Sequence, residues 1–251
     1  MLSIACIVDQ GIIRLSNDDR AAVNSSLISE GLHTETADSS CLVIVCDGVG
    51  GVDYGNEAAE IVTDIFSRLS GTQLTEEIIR ECIDKANDAV IMAQNTDVRR
   101  AKMATTVAGL YIDNDDFIAF NVGDTRVYRY RTPYIAQISK DHSLWREKLD
   151  SGGVALPEHK GRITRCLGGG FAVPEIVRGD GRVYVNDVFV LCTDGVWGVL
   201  DDDDFERVLV GANERNTDVL CGELINLALE KGSDDNLSII LVRRFDNGAQ
   251  Q

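Results

Sequence analysis

The sequence predicts an α+β domain, and three observations carry that prediction. Apolar runs between residues 104 and 138 are separated by turns too short for the crossover that parallel strands need, so they must pair antiparallel. Two stretches between 58 and 93 repeat apolar residues at helical spacing. Four acids stand at the ends of apolar runs: Asp47 and Asp194 each before a glycine, Asp124 after one, and Asp235 ahead of Ile239-Ile240-Leu241-Val242. A lone Asp-Gly after a strand is most simply a hairpin turn. Four such placements suggest one carboxylate-lined centre.

Residues 2–8 read as a first strand, leading to Arg14-Leu15-Ser16-Asn17-Asp18-Asp19. An arginine just before two acids reads first as a surface ion pair, which contributes little. It can also serve as a planar fork for phosphate oxygens beside a metal. Residues 20–40 are polar and rich in serine, and are expected to form a loop or a weak hairpin.

Leu42-Val43-Ile44-Val45 reads as a buried strand, and Cys46-Asp47-Gly48-Val49-Gly50-Gly51 turns the chain behind it. Glycine there lets the backbone approach whatever the acid holds, so the Gly48 carbonyl can join Asp47 as a ligand. Two helices follow. Ala58, Ala59, Ile61, Val62, Ile65, Phe66 and Leu69 form one stripe; Ile78, Ile79, Cys82, Ile83, Ala86, Val90 and Ala93 form the second. Thr75-Glu76-Glu77 suits a helix start, where acids meet the positive end of the dipole.

The runs 104–112, 117–122, 126–130 and 134–138 are expected to form one antiparallel meander. Asp141-His142-Ser143-Leu144 opens a short helix, and the glycines and Pro157 between 152 and 170 mark a surface flap. His159 reads as an exposed loop residue without a partner, or as a proton donor. Val183-Tyr184-Val185 and 188–192 are expected strands. Asp201 to Asp204 read as a solvated helix cap, because successive acids diverge around a helix start. A helix over 219–231 ends at Gly232, and the last strand spans 237–243. A single domain is expected over 1–245, with 246–251 a frayed tail.

The formal charge of −17 argues against nucleic acid or an anionic membrane as partner. Seven scattered cysteines show no CxxC pair, and read as small buried hydrophobes in a reducing compartment. No apolar run reaches the ~18 residues of a membrane helix, and none resembles a signal core. A cytoplasmic protein is expected.

Taken in order, these stretches resemble the metal-dependent Ser/Thr protein phosphatases of the PPM (PP2C-like) family in their short bacterial form. The resemblance runs from about residue 4 to 243. It rests on Arg14 with Asn17-Asp18-Asp19, Asp47-Gly48-Val49-Gly50-Gly51, Met103-Ala104-Thr105-Thr106, Val122-Gly123-Asp124-Thr125-Arg126, Asp141-His142-Ser143, Ile163-Thr164-Arg165-Cys166-Leu167-Gly168, Thr193-Asp194-Gly195 and Asp235-Asn236-Leu237-Ser238. It implies a four-layer α-β-β-α sandwich: two antiparallel sheets face to face, with helices on both outer faces and the metal centre at one end.

The resemblance also implies roles. Asp47 bridges two metals, the Gly48 carbonyl completes one site, Asp194 and Asp235 hold the other metal, and Asp124 holds a weaker third. Asp18 and Asp19 orient metal-bound waters, and Arg14 binds phosphate. Oxygen-only ligands favour Mg²⁺ or Mn²⁺ over Zn²⁺. Two such ions lower the pKa of a shared water and neutralise the phosphate under attack. The implied activity is hydrolysis of phosphoserine and phosphothreonine on proteins, opposing a cellular Ser/Thr kinase, by a monomer.

The sequence departs from the family at two positions. Asp18 stands where glutamate is usual, and Val49 where eukaryotic relatives often carry a histidine proposed as general acid. The alternatives are a catalytically silent phosphoprotein-binding module, which would usually have lost metal acids, and a metal-dependent nuclease, which the charge opposes.

Overall fold

The computed structural model describes residues 1–49, 54–169, 171–179 and 182–246. Its strands are β1 (Leu2–Asp9), β2 (Arg20–Val23), β3 (Ser26–Ile28), β4 (Gly31–Ala37), β5 (Ser40–Cys46), β6 (Val107–Asp113), β7 (Asp116–Val122), β8 (Arg126–Arg131), β9 (Tyr134–Gln137), β10 (Glu175–Arg178), β11 (Val188–Cys192) and β12 (Leu237–Arg244). Its α-helices are α1 (Gly55–Ser67), α2 (Glu76–Gln94), α3 (Leu144–Asp150), α4 (Asp194–Trp197), α5 (Asp202–Leu209) and α6 (Thr217–Glu230).

The strands form two six-stranded sheets, ordered β4-β1-β12-β11-β8-β9 and β10-β7-β6-β5-β2-β3. Every recorded strand pairing is antiparallel. Strand alternation sorts the apolar residues into layers. In β1, Leu2, Ile4, Cys6 and Val8 join Cys41, Val43 and Val45 of β5 in the core between the sheets. Ala5 faces the other way, with Leu220, Leu224 and Ile225 of α6. Leu42, Ile44 and Cys46 turn toward Ala58, Val62 and Phe66 of α1 and Ile79, Ile83 and Val90 of α2. Both faces of β5 are thus buried, which is why its sequence is a continuous apolar run rather than an alternating one. The expected four-layer α-β-β-α sandwich is the observed architecture.

The helix starts follow the capping chemistry. Thr75 Oγ1 accepts from the Ile78 N–H, and Ser143 Oγ accepts from the Arg146 N–H. Asp201 and Asp204 cap reciprocally at the start of α5. Asp204 is nonetheless buried, and pairs with Arg207 and Lys231 rather than with solvent.

Three expectations need correction, and one strand was not foreseen. Residues 20–40 are not a loop: β2 and β3 form the hairpin that was the other expectation, but β2 also pairs with β5, and β4 pairs with β1 in the other sheet. Left-handed Asn24 and Gly31 make the turns between them. The run Val183-Tyr184-Val185 is not a strand, because the Asp187 carboxylate collects the Tyr184 N–H together with Arg129 and Arg131. β10 was not anticipated at all. Most consequentially, the meander is broken. β6 pairs with β7 and β8 with β9, but β7 and β8 belong to different sheets. The chain crosses between sheets at Gly123-Asp124-Thr125. Gly51 and Gly50 of the first acid motif, Gly170 of the flap and residues 247–251 of the expected tail lie outside the described residues.

Candidate metal centre

Each acid of interest sits where a strand ends at the same edge of the sandwich. Asp47 follows β5, and its backbone is fastened from the opposite side. The Asp47 N–H donates to Thr106 Oγ1 at 3.1 Å, while its carbonyl accepts from the Thr106 N–H at 2.9 Å and from Thr105 Oγ1 at 2.8 Å. Next to it, the Gly48 N–H donates to the Asp18 carbonyl at 3.2 Å. A Cβ on Gly48 would lie 2.5 Å from the Gly55 carbonyl carbon, so only glycine fits between these two backbones.

Asp124 lies at the crossover between β7 and β8. Gly123 has φ +110°, and its N–H donates to His142 Nδ1 at 3.1 Å while its carbonyl accepts from the His142 N–H at 2.9 Å. Burial lowers the pKa of His142 to about 4, so the ring is neutral and can accept at Nδ1. Arg126 then locks the neighbourhood. Its guanidinium forks onto the Asp141 carboxylate at 2.7–3.2 Å, donates to Tyr128 Oη at 2.9 Å and lies 3.6 Å from the centre of the Trp197 ring. One side chain thereby ties β8, the residues before α3 and α4 together.

Asp194 opens α4, and Asp235 precedes β12. A Cβ on Gly195 would come within 2.0 Å of the Asn236 carbonyl oxygen, which holds these two acid-bearing turns in backbone contact. The Asn236 N–H donates to Asp235 Oδ1 at 2.8 Å, and Arg14 Nη2 donates to Asp235 Oδ2 at 2.6 Å. Asn236 also accepts from the Asp18 N–H at 2.9 Å and donates to the carbonyls of Gln10 and Ser16. Asp19 is buried, and its Oδ2 accepts from Thr193 Oγ1 at 2.9 Å.

The electrostatics show that these acids form one group. Burial pushes the pKa of Asp47 well above the usual carboxylate range, with Asp194, Asp19, Asp124 and Asp235 adding repulsion. Burial and the Asp235 charge raise Asp194 to about 6. Burial and the Asp194 charge raise Asp124 to about 7, and burial raises Asp19 to about 7. Asp18 is also raised, by burial that Arg20 partly offsets. One oxygen of Asp124, Oδ1, is buried without a hydrogen-bond partner. Buried carboxylates that repel one another and leave an oxygen unpaired fit a site built for cations. Beside them opens a cavity of about 550 Å³, lined by Asp124, Asp194 and Asp235 together with Trp145, Lys160 and Trp197.

Among the described residues, no three His, Cys, Asp or Glu side chains close into a finished metal cage. The structure brings Asp18, Asp19, Asp47, Gly48, Asp124, Asp194, Asp235 and Arg14 to one edge of the sandwich. His159 stands apart: it is absent from the cavity lining, and its Nδ1 accepts from the Leu156 N–H at 3.0 Å, so it has a partner after all. Sequence reasoning missed the positioning work of Asn236, Thr193, His142 and the Arg126–Trp197 stack. The motifs containing them were visible, but their contacts are long-range.

The family model described as protein phosphatase 2C matches residues 19–218. The chain belongs to the protein phosphatase 2C family. It is 27% identical over 251 residues to the serine/threonine phosphatase stp of Listeria monocytogenes, an alignment covering 94% of this chain and 93% of that protein. It is 30% identical over 217 residues to a putative protein phosphatase 2C-type of Streptococcus pyogenes, covering 80% and 85%. The crystal structure of the serine/threonine phosphatase Stp1 from Staphylococcus aureus superposes with a TM-score of 0.84 at 25% identity, covering 98% of this chain and 96% of that one. The expected family, fold and enzyme class, a protein-serine/threonine phosphatase, are borne out. At 22% identity, the catalytic domain of the phosphatase PstP in complex with two manganese ions shares the protein phosphatase 2C fold, with a TM-score of 0.79.

Proposed function

We propose that this protein phosphatase 2C member hydrolyses phosphoserine and phosphothreonine on proteins at a centre of two Mg²⁺ or Mn²⁺ ions. Asp47, the Gly48 carbonyl, Asp194 and Asp235 would hold the pair, and Asp124 a weaker third. The observation that carries this reading is the meeting of Asp47, Asp124, Asp194 and Asp235 with Arg14 at one edge of the sandwich. When bound, the ions supply an activated water and neutralise phosphate charge.

The protein's own groups do the rest. Arg14, whose guanidinium reaches Asp235, would fork two phosphate oxygens and hold phosphorus in line for attack. Thr193 fixes one oxygen of Asp19, whose carboxylate would orient water. Asn236 fixes the backbone of Asp18 for the same task. Asp18 is one methylene shorter than the glutamate usual in the family, so it reaches less far toward a metal-bound water. A thiol nucleophile is unsupported: burial raises Cys41, Cys82 and Cys192 to about 12 and pushes Cys46, beside Asp47, well above its usual value.

The reading extends to a monomeric cytoplasmic enzyme, one domain over 1–245 with a tail at 246–251, acting on phosphoproteins made by a cognate Ser/Thr kinase. Among the described residues, no helix is long and apolar enough to cross a membrane. The test is phosphate release from phosphothreonine peptides. Release that requires Mn²⁺ or Mg²⁺ and stops with chelator supports the reading. Peptide binding without release would indicate a regulatory module, and cleavage of DNA or RNA under the same metal a nuclease.

A further inference from the structure

The segment from Gln10 to Ser16 joins β1 to the acid pair Asp18-Asp19 and carries Arg14 at its middle. Polar contacts brace it, and Gly11 packs closely against the backbone of Asp235 and the side chain of Leu237. Asn236 Nδ2 donates to the Gln10 carbonyl at 2.8 Å and to the Ser16 carbonyl at 2.9 Å, pinning both ends to the residue after Asp235. Gln10 Nε2 donates to the Arg14 carbonyl at 2.8 Å, and the Gly11 N–H donates to Asp9 Oδ1 at 2.7 Å. None of these contacts uses the side chains of Ile12, Ile13 or Leu15.

Yet the loop carries three large aliphatic residues and turns them outward: Ile12 is 73% exposed, Ile13 62% and Leu15 99%. They flank Arg14 on both sides. Contiguous exposed aliphatics on a braced loop mark a contact surface.

We propose that this loop is a docking rim for the substrate chain, and that it selects phosphopeptides carrying aliphatic residues within two positions of the phosphorylated residue. The inference rests on the phosphatase reading, and Arg14 identifies the occupant. Consecutive Cα atoms are about 3.8 Å apart, so a peptide whose phosphoryl group sits on Arg14 has its nearest residues within reach of the side chains next to Arg14. Backbone anchors hold the loop in place, so little ordering cost offsets the burial of apolar surface.

Matched phosphothreonine peptides, with Leu, Ile or Val against Ser or Asn at the flanking positions, test this with Mn²⁺ present. The wild type should favour aliphatic flanks by about tenfold in kcat/KM, expressed in KM, as expected for burying one aliphatic side chain. Leu15→Ser and the double variant Ile12→Ser/Ile13→Ser should erase the preference and leave p-nitrophenyl phosphate turnover within twofold, which also confirms that they fold. Turnover by the wild type without any flank preference overturns the inference alone. Dimers that Leu15→Ser splits, or Leu15-dependent co-sedimentation with phosphatidylcholine vesicles, also overturn it, since the rim would then serve a second copy or a lipid surface. A wild type that turns over neither p-nitrophenyl phosphate nor peptides overturns the phosphatase reading, and this inference with it.

Discussion

Arg14 Nη2 stands 2.6 Å from Asp235 Oδ2, while the other carboxylate oxygen of Asp235 is held by the Asn236 N–H. The residue assigned to phosphate and a residue assigned to metal are therefore direct partners. A cation taking Asp235 Oδ2 competes with the guanidinium, and Arg14 freed from Asp235 is available to phosphate. Arg14→Ala should lower kcat/KM for phosphopeptides by about a hundredfold, the scale of losing one oriented charge-stabilising donor. The same variant should bind Mn²⁺ more tightly by calorimetry, because it removes both a competitor and a positive charge. Weaker Mn²⁺ binding would show that Arg14 supports the metal site instead.

The acids give a pH dependence with a definite sign. Asp19, Asp124 and Asp194 have folded pKa values of about 7, 7 and 6, all above the ordinary value of 3.8. The folded chain then binds more protons than the unfolded one between about pH 4 and 7, so stability falls as pH rises through that window. With chelator present, Tm should be higher at pH 5 than at pH 8. Mn²⁺ needs the ionised carboxylates, so its stabilisation should grow over the same range and reverse the trend. Calorimetric scans at both pH values, with and without Mn²⁺, check this.

Thr106 provides a structural test of how Asp47 is held. Its hydroxyl is buried, accepts from the Asp47 N–H and contacts Thr125 Oγ1. Thr106→Val keeps the shape and removes the hydroxyl, leaving a donor without its partner, at a cost of about 1–3 kcal/mol. Urea unfolding should show that loss. Mn²⁺ affinity should fall with it, since Asp47 is less firmly placed.

Much of the fold was legible because it depends on local pattern. The doubly buried β5 announced itself as Leu42-Val43-Ile44-Val45, and Thr75 marked the start of α2 as a capping residue should. The misses share one cause, long-range pairing. β4 carries polar Thr34 and Glu35 and becomes a strand only because β1 lies beside it. Val183 to Val185 have strand-like side chains, but Asp187 captures the local donors first. The turn at Gly123-Asp124 reads like any hairpin. It changes sheets where His142 holds Gly123 in a conformation that side chains rarely adopt, packed so close to Thr106 that a Cβ would collide with it.

The acids of the candidate site were legible by motif, since each carries a turn signature next to an apolar run. The residues that aim them were not. Asn236 reaches Gln10, Ser16 and Asp18, more than 200 positions away in sequence, and no spacing rule foretells such contacts. The apolar loop around Arg14 was equally silent. Ile12, Ile13 and Leu15 look like core residues until their exposure is known.

The most direct measurement compares wild type and Asp47→Asn for hydrolysis of p-nitrophenyl phosphate and a phosphothreonine peptide, titrated with Mn²⁺ and then with chelator. Asp47 lies at the centre of the acid group, and its substitution by Asn removes charge while conserving shape. The wild type should show saturable, chelator-sensitive turnover, and the folded variant should lose about a thousandfold together with calorimetric Mn²⁺ binding. Turnover that survives chelator, or an Asp47→Asn protein that works like the wild type, would contradict the two-metal centre.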